Sequence, residues 1–220
     1  MAAVRVVEPE WLDTLAPEDP RARHSRRDLA RLNAVMRNAG IVARELRTTA
    51  IARIAEIGAG DGAFALRLAS RLPVREASFV LLDRLPAPAP SPQGGWRFET
   101  ATRDALEWLA DEATGSFDAI VANLFLHHFD DAPLARLLDA IARRAARFVA
   151  CEPRRSILAL GGSRLVGLLG CNDVTRHDAV ASVRAGFSGR EISALWKAPG
   201  WRLEERPRGL FSHVFTAVRE

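Results

Sequence analysis

The chain has 220 residues, is 48% hydrophobic and carries a formal net charge of +4 at pH 7. That is enough for one sizeable core and too little for two independent enzyme domains. It contains no apolar run of about 18 residues and no long apolar N-terminal stretch of the secretory kind, so we expect a cytoplasmic protein with no membrane partner.

The positive charge does not read as a nucleic-acid footprint, because arginines are scattered along the chain among acids and Lys197 is the only lysine. Cys151 and Cys171 have no CxxC or Cys/His cluster around them, which speaks against a metal site or a disulfide scaffold and for two buried thiols. Residues 1–20, with Pro9, Pro17 and Pro20, read as an irregular arm or short helices. The denser Arg21, Arg23, Arg26 and Arg27 then fit a solvated helix start or, as the sharper reading, an anion or nucleic-acid contact. Ser25 and Asp28 have capping-box spacing before Leu29, Leu32, Val35 and Met36, which predicts a helix over 25–38 ending near Gly40. A second helical piece covers 41–50, so residues 1–50 form an N-terminal helical cap.

From residue 53 short apolar runs alternate with amphipathic segments, the pattern of a parallel sheet covered by helices. Strands are expected at 53–57, 78–83, 96–100, 117–122 and 147–152, with helices near 62–71, 103–113 and 131–146. The crossover at 84–95, "RLPAPAPSPQGG", has too many prolines for a helix and should be an extended loop. Residues 154–190 form an insertion beside the acceptor, and its apolar "ILALGGSRLVGLLG" should be covered by a greasy acceptor or a partner subunit. A helix near 189–197 precedes two strands joined at Pro207–Gly209, which must pair antiparallel across so short a turn. The resulting fold class is α/β, a Rossmann-like seven-stranded sheet, mostly parallel with a C-terminal antiparallel hairpin and helices on both faces.

The stretch "EIGAGDG", residues 56–62, sits between the first strand and a helix. Glycines there let the backbone turn sharply and approach a ligand. The same spacing satisfies a dinucleotide fingerprint, but Glu56 and Asp61 would repel a pyrophosphate, whereas they suit a ligand with ammonium and sulfonium centres. Asp83 closes the second strand where an acid can accept both ribose hydroxyls. Asp104 could accept from an adenine amino group, with the backbone beside it as donor, and Asn123 would border the methionyl end.

Through "EIGAGDG", "LLD", "RDALEWL" and "FDAIVANLFLHHF" the chain resembles the class I S-adenosylmethionine-dependent methyltransferases over about residues 50–155. The resemblance implies S-adenosylmethionine as the methyl donor. Glu56, Gly58, Gly60 and Gly62 would surround its amino-acid moiety, Asp83 with Arg84 the ribose, Asp104 with Ala105 the adenine, and Asn123 the methionyl amine. "LHHFDD" is similar to the corresponding stretch of plant-type aromatic O-methyltransferases, whose histidine is the general base. His127 takes that place, and His128 stands where that group has an Asp. No counterpart of that group's long N-terminal dimerisation domain is expected, although a homo-oligomer remains compatible.

A phenol must lose its proton before methylation, and an imidazole can accept it. Consecutive helical residues point about 100° apart, so His127 and His128 should not both face one methyl group. His177, beside Asp178, is a third candidate, while His213 reads as structural. Trp108 and Trp201 read as core, and Glu152 either borders the acceptor or forms a turn with Pro153. The expected function is methylation of a small molecule, aromatic or apolar, at a phenolic or enolic oxygen, as in secondary metabolism. An RNA or protein methyltransferase, a nicotinamide oxidoreductase and a non-catalytic donor-binding subunit are the alternatives.

Overall fold

The computed structural model describes residues 4–16, 18–47, 50–74 and 76–220. Its strands are β1 (Arg53–Ile57), β2 (Ala77–Asp83), β3 (Trp96–Thr102), β4 (Ala119–Asn123), β5 (Arg147–Pro153), β6 (Trp201–Arg208) and β7 (Ser212–Arg219). They form one sheet in the order β3-β2-β1-β4-β5-β7-β6. The first five run parallel, and β7 lies antiparallel between β5 and β6.

The central strands are apolar on both faces because both faces are covered. Successive side chains of β2 show this: Phe79 and Leu81 enter one core, and Val80 and Leu82 the other. The first core is closed by α3 (Asn38–Leu46) and α4 (Ala63–Ala69), and the second by α5 (Ala105–Ala110), α6 (Asp131–Arg144) and α9 (Glu191–Leu195). Trp108 lies in the second core, and Trp201 packs partly buried against it. Fully buried Phe79 and Phe148 each contribute about 1.5–3 kcal/mol of transfer free energy. Both cysteines are buried, and no helix among the described residues is long and apolar enough to cross a membrane.

The N-terminal segment departs from expectation. After α1 (Trp11–Thr14), α2 (Pro20–Met36) starts five residues earlier than Ser25, because Asp19 caps it by accepting from Arg21 N at 2.7 Å and Pro20 presets the first turn. Ser25 and Asp28 therefore lie inside the helix on one buried face. They bind Thr175 of α8 (Asp173–Ala185), with Ser25 Oγ 2.9 Å and Asp28 Oδ2 3.1 Å from Thr175 Oγ1. The helix breaks at Arg37, in the left-handed region at φ 59°, rather than near Gly40. The second helix through Thr48 and Thr49, and the arm at residues 1–3 and Pro17, lie outside the described residues.

Residues 84–95 form no helix, as the prolines require. The hairpin turn falls at residues 209–211, beyond Pro207, because β6 is an edge strand where a missing N–H costs no ladder bond. The insertion contains α7 (Ile157–Arg164), a short turn at Val166–Leu169 and α8. Several residues of its apolar stretch 157–170 are not covered in the single chain: Ile157 is 89% and Leu168 83% exposed. Only one stripe, with Ala159, Ser163 and Val166, faces the body.

Candidate donor and acceptor site

The glycine turn opens at the carboxyl end of β1. Gly58, Gly60 and Gly62 all have positive φ, at 72°, 55° and 74°. A Cβ on Gly58 would come within 2.2 Å of the Phe125 ring, and one on Gly62 within 3.0 Å of Leu81 and 3.2 Å of Pro90. Gly60 has nothing within 4 Å, so its outer side is open to a ligand. Asp83 braces the turn, its Oδ2 accepting from Gly60 N at 2.8 Å and its Oδ1 from Leu85 N at 2.9 Å. A narrow cleft lies between Gly60, Asp83, Pro88 and Thr102. The proline-rich loop is thus one of its walls, replacing a crossover helix.

Glu56 lies beneath this turn, 1% exposed, and its Oε2 has no hydrogen-bond partner. Burial, and then the charges of Asp61 and Asp83, push its carboxyl well above the ordinary range. A buried carboxyl without a partner is costly unless a ligand completes it. These features fit a cationic donor: an open glycine, a braced ribose-side acid and an unsatisfied carboxyl meet at one strand end.

The other expected donor residues are placed less simply. Asp104 caps α5, accepting from Leu106 N at 2.8 Å and Glu107 N at 3.3 Å, and Thr100–Thr102 rather than Asp104 line the cleft. Ala105 is buried as the first residue of that helix, and Arg84 is exposed. Asn123 Oδ1 accepts from Asn38 Nδ2 at 2.9 Å, its Nδ2 donates to Asn33 Oδ1 at 3.3 Å, and Asn38 Oδ1 accepts from Ser212 Oγ at 2.9 Å. The amide thereby pins the N-terminal helices to the tip of β4.

Beyond Asn123 the backbone is strained: Leu124 adopts φ 53°, uncommon for a bulky residue. The chain then makes a short 3-10 turn, Leu126–His128, fixed from below by Glu152 of β5. Glu152 Oε1 accepts from Phe125 N at 3.1 Å and Leu126 N at 3.0 Å, and its Oε2 lies 2.8 Å from His127 Nδ1. Glu152 is fully buried and His127 is 3% exposed. On the other side of the ring, Nε2 lies 3.4 Å from Oε1 of Glu10, in the N-terminal arm. Ser182 Oγ of α8 donates to that same oxygen.

Burial alone would lower the His127 pKa, but hydrogen bonds to Glu10 and Glu152 and their charges raise it to about 9. Burial would raise Glu10, but the contacts with His127 bring it down to about 2. His127 is therefore an imidazolium between two carboxylates at neutral pH, and in this arrangement it has no lone pair to accept a proton. His128 lies closer to it than helical geometry suggested, with ring centroids 4.3 Å apart, because the pair sits in a single tight turn. Burial, then the His127 charge, lowers the His128 pKa, and its Nδ1 is 3.7 Å from Asp13 Oδ2.

His177 does pair with Asp178, at 2.9 Å, but both serve the arm. Asp178 accepts from Trp11 N at 2.8 Å and Leu12 N at 3.0 Å, and the Trp11 ring stacks on His177 at 4.0 Å. His213 is buried against Glu205 at 2.9 Å, in keeping with a structural role. Sequence reasoning missed Glu10, Asp13 and Ser182, and no local pattern marks them. For Glu152, its place at a strand's carboxyl end was a usable signal.

Residues 54–147 match a family model described as a methyltransferase domain. No curated protein matches. Among solved structures, an O-methyltransferase family protein from Burkholderia thailandensis is similar at 17% identity and a TM-score of 0.63, over 92% of this chain and 61% of that one. The mitomycin 7-O-methyltransferase MmcR is similar at 20% identity and 0.63, over 95% and 60%. The plantazolicin methyltransferase BamL, in complex with a triazolic desmethylPZN analog and SAH, is similar at 12% identity and 0.65, over 92% of each chain. This chain thus spans about 60% of the length of the first two. Residues 54–147 thus carry the methyltransferase-domain match, and the seven-stranded sheet order gives the chain a Rossmann-like fold of the kind those structures share. In this particular chain the domain is flanked by an N-terminal helical segment and by the α7–α8 insertion, and both reach the turn that carries His127.

Proposed function

We propose that the chain transfers a methyl group from S-adenosylmethionine to an oxygen of a small molecule, a phenolic or enolic hydroxyl of the kind found in secondary metabolism. The observation that carries this reading is the unpartnered Glu56 carboxyl under the open Gly60. It suits a ligand that brings positive charge and little suits a pyrophosphate. When bound, the donor supplies an activated methyl group, so the protein's work is alignment and exclusion of water.

In this proposal Glu56 and the glycine turn hold the amino-acid end, Asp83 the ribose, and Thr100–Thr102 with the Asp104–Ala105 helix start the adenine edge. Asn123 acts indirectly, by holding the cap helices against the site. His127, oriented by Glu152, is the group that meets the acceptor oxygen; His128 and His177 are secondary. We read residues 1–50 and about 154–190 as the segments that shape the acceptor pocket. Calorimetry with S-adenosylmethionine and its demethylated product, followed by transfer of labelled methyl to a panel of phenols, quinones, polyketides and RNA, tests the reading. Tight binding of NADH with no binding of either donor form would reverse it.

A further inference from the structure

We propose that this site takes its acceptor as an oxyanion, a phenolate, enolate or carboxylate, at Nε2 of His127, and that Glu10 of the N-terminal arm is the intramolecular anion which the acceptor displaces. The inference rests on the methyl-transfer reading for what becomes of the bound oxygen, but not for its binding.

The two carboxylates at His127 are not equivalent. Glu152 belongs to the sheet, is fully buried, and has both oxygens committed to the turn and to Nδ1. Glu10 comes from outside the sheet, and its contact of 3.4 Å is long beside the 2.8 Å of Glu152. Glu10 occupies the cap position of α1 yet makes no capping bond, so its carboxylate does nothing for its own helix. Instead one of its oxygens, Oε1, receives two converging donors, Nε2 of His127 and Oγ of Ser182. Two donors from different elements aimed at one oxygen make an oxyanion pocket.

The pocket requires charge as well as shape. Removing Glu10 and admitting a neutral molecule would leave a buried imidazolium with a single counter-ion, a costly state. An arriving oxyanion restores the balance. Its lone pair would then form the carbon–oxygen bond as the methyl–sulfur bond breaks onto sulfur, and no proton need move in that step.

The arm is built to release. Its fastenings are Arg5 to the carbonyls of Phe129 at 2.7 Å, Ala185 at 2.8 Å and His127 at 3.3 Å and to Asp131 at 3.1 Å, Val6 N to Arg184 O at 3.2 Å, Trp11 N and Leu12 N to Asp178 at 2.8 and 3.0 Å, and the Trp11 stack. They are a short series of contacts at one surface, and none belongs to the strand ladder.

4-Nitrophenol is a suitable probe, because its ionised form absorbs in the visible and its neutral form does not. Titrated into the protein below its own pKa, with EDTA present so that no divalent ion bridges Glu10, His127 and His128, it should bind as the coloured phenolate. Glu10→Gln, which removes the competing charge, should tighten binding roughly tenfold, and His127→Asn should abolish the coloured bound form. Trp11→Ala, which loosens the arm by removing its stack on His177 and leaves the His127 turn untouched, should shift affinity in the same direction as Glu10→Gln and keeps the test open should that variant fold poorly. Colourless binding, or affinity unmoved or weakened in both arm variants, overturns the proposal. The methyl-transfer reading is judged separately: coloured binding without donor affinity sinks that reading alone, and turnover of a neutral acceptor with Glu10→Gln silent sinks this one alone.

Discussion

Nδ1 of His127 lies 2.8 Å from Oε2 of Glu152, although the two residues belong to different strand ends, one following β4 and the other closing β5. Neighbouring parallel strands bring their carboxyl ends together, so adjacency in the sheet creates the pair. The same carboxylate ties down the backbone of the turn, which couples the orientation of the ring to the shape of that turn.

Glu152→Gln should therefore damage turnover far more than donor binding. Loss of the charged partner frees the ring and weakens its hold on the proton that faces the acceptor oxygen, and removing one such oxyanion donor costs about 10²–10³ in rate. Single-turnover rates with a responsive acceptor, set beside calorimetric donor affinity, separate the two effects. Equal losses in both would mean that Glu152 is only a structural brace.

Donor binding should release a proton. Burial, and then the charges of Asp61 and Asp83, shift Glu56 toward its protonated form, and a cationic ligand arriving beside it favours the carboxylate. Calorimetry in buffers of different ionisation enthalpy should reveal up to about one proton released near pH 7. Glu56→Gln should abolish the release and weaken binding. Proton uptake would contradict this account of the cradle.

Gly58→Ala should be poorly tolerated. The residue has φ 72°, and its Cβ would meet the Phe125 ring at 2.2 Å, so backbone strain and a steric clash add. A cost of about 2 kcal/mol or more is expected, together with loss of donor affinity. Gly60→Ala shares the positive φ but meets no atom, so the difference between the two melting temperatures isolates the clash.

The contact between His127 and Glu10 sets a pH window. The His127 contribution is fully present below its ordinary 6.5 and is lost as pH rises through about 9. The Glu10 contribution is present above 4.5 and is lost as pH falls through about 2. Glu152, His128 and Asp13 also face the pair. Between about pH 4.5 and 6.5, Glu10→Gln should lower stability by about 2 kcal/mol, or roughly 4–8 °C in Tm, and the gap should close above about pH 9. A constant gap across that range would show that the arm is held by other contacts alone.

Much of this molecule was legible in one dimension. Alternation of short apolar runs with amphipathic segments marked the strands, because a strand buried on both faces must be apolar throughout, and β4 is buried at all five positions. Gly58, Gly60 and Gly62 announced the sharp turn after β1, since only glycine takes those φ values without strain. Asp83 followed from strand spacing, and the prolines of 84–95 correctly forbade a helix. These features are local, fixed by backbone sterics within a few residues.

The acceptor side was decided by tertiary structure. Glu10 precedes His127 by more than a hundred positions and reaches it only because the arm packs on α8, through Asp178 and His177. Ser25 and Asp28 had the spacing of a helix cap, yet that spacing also lines up one helix face, and packing against Thr175 chose the second use. A charge pattern names the groups that can pair, but which groups meet in the dry interior depends on how whole elements stack. That stacking is what set His127 in the interior between Glu152 and Glu10.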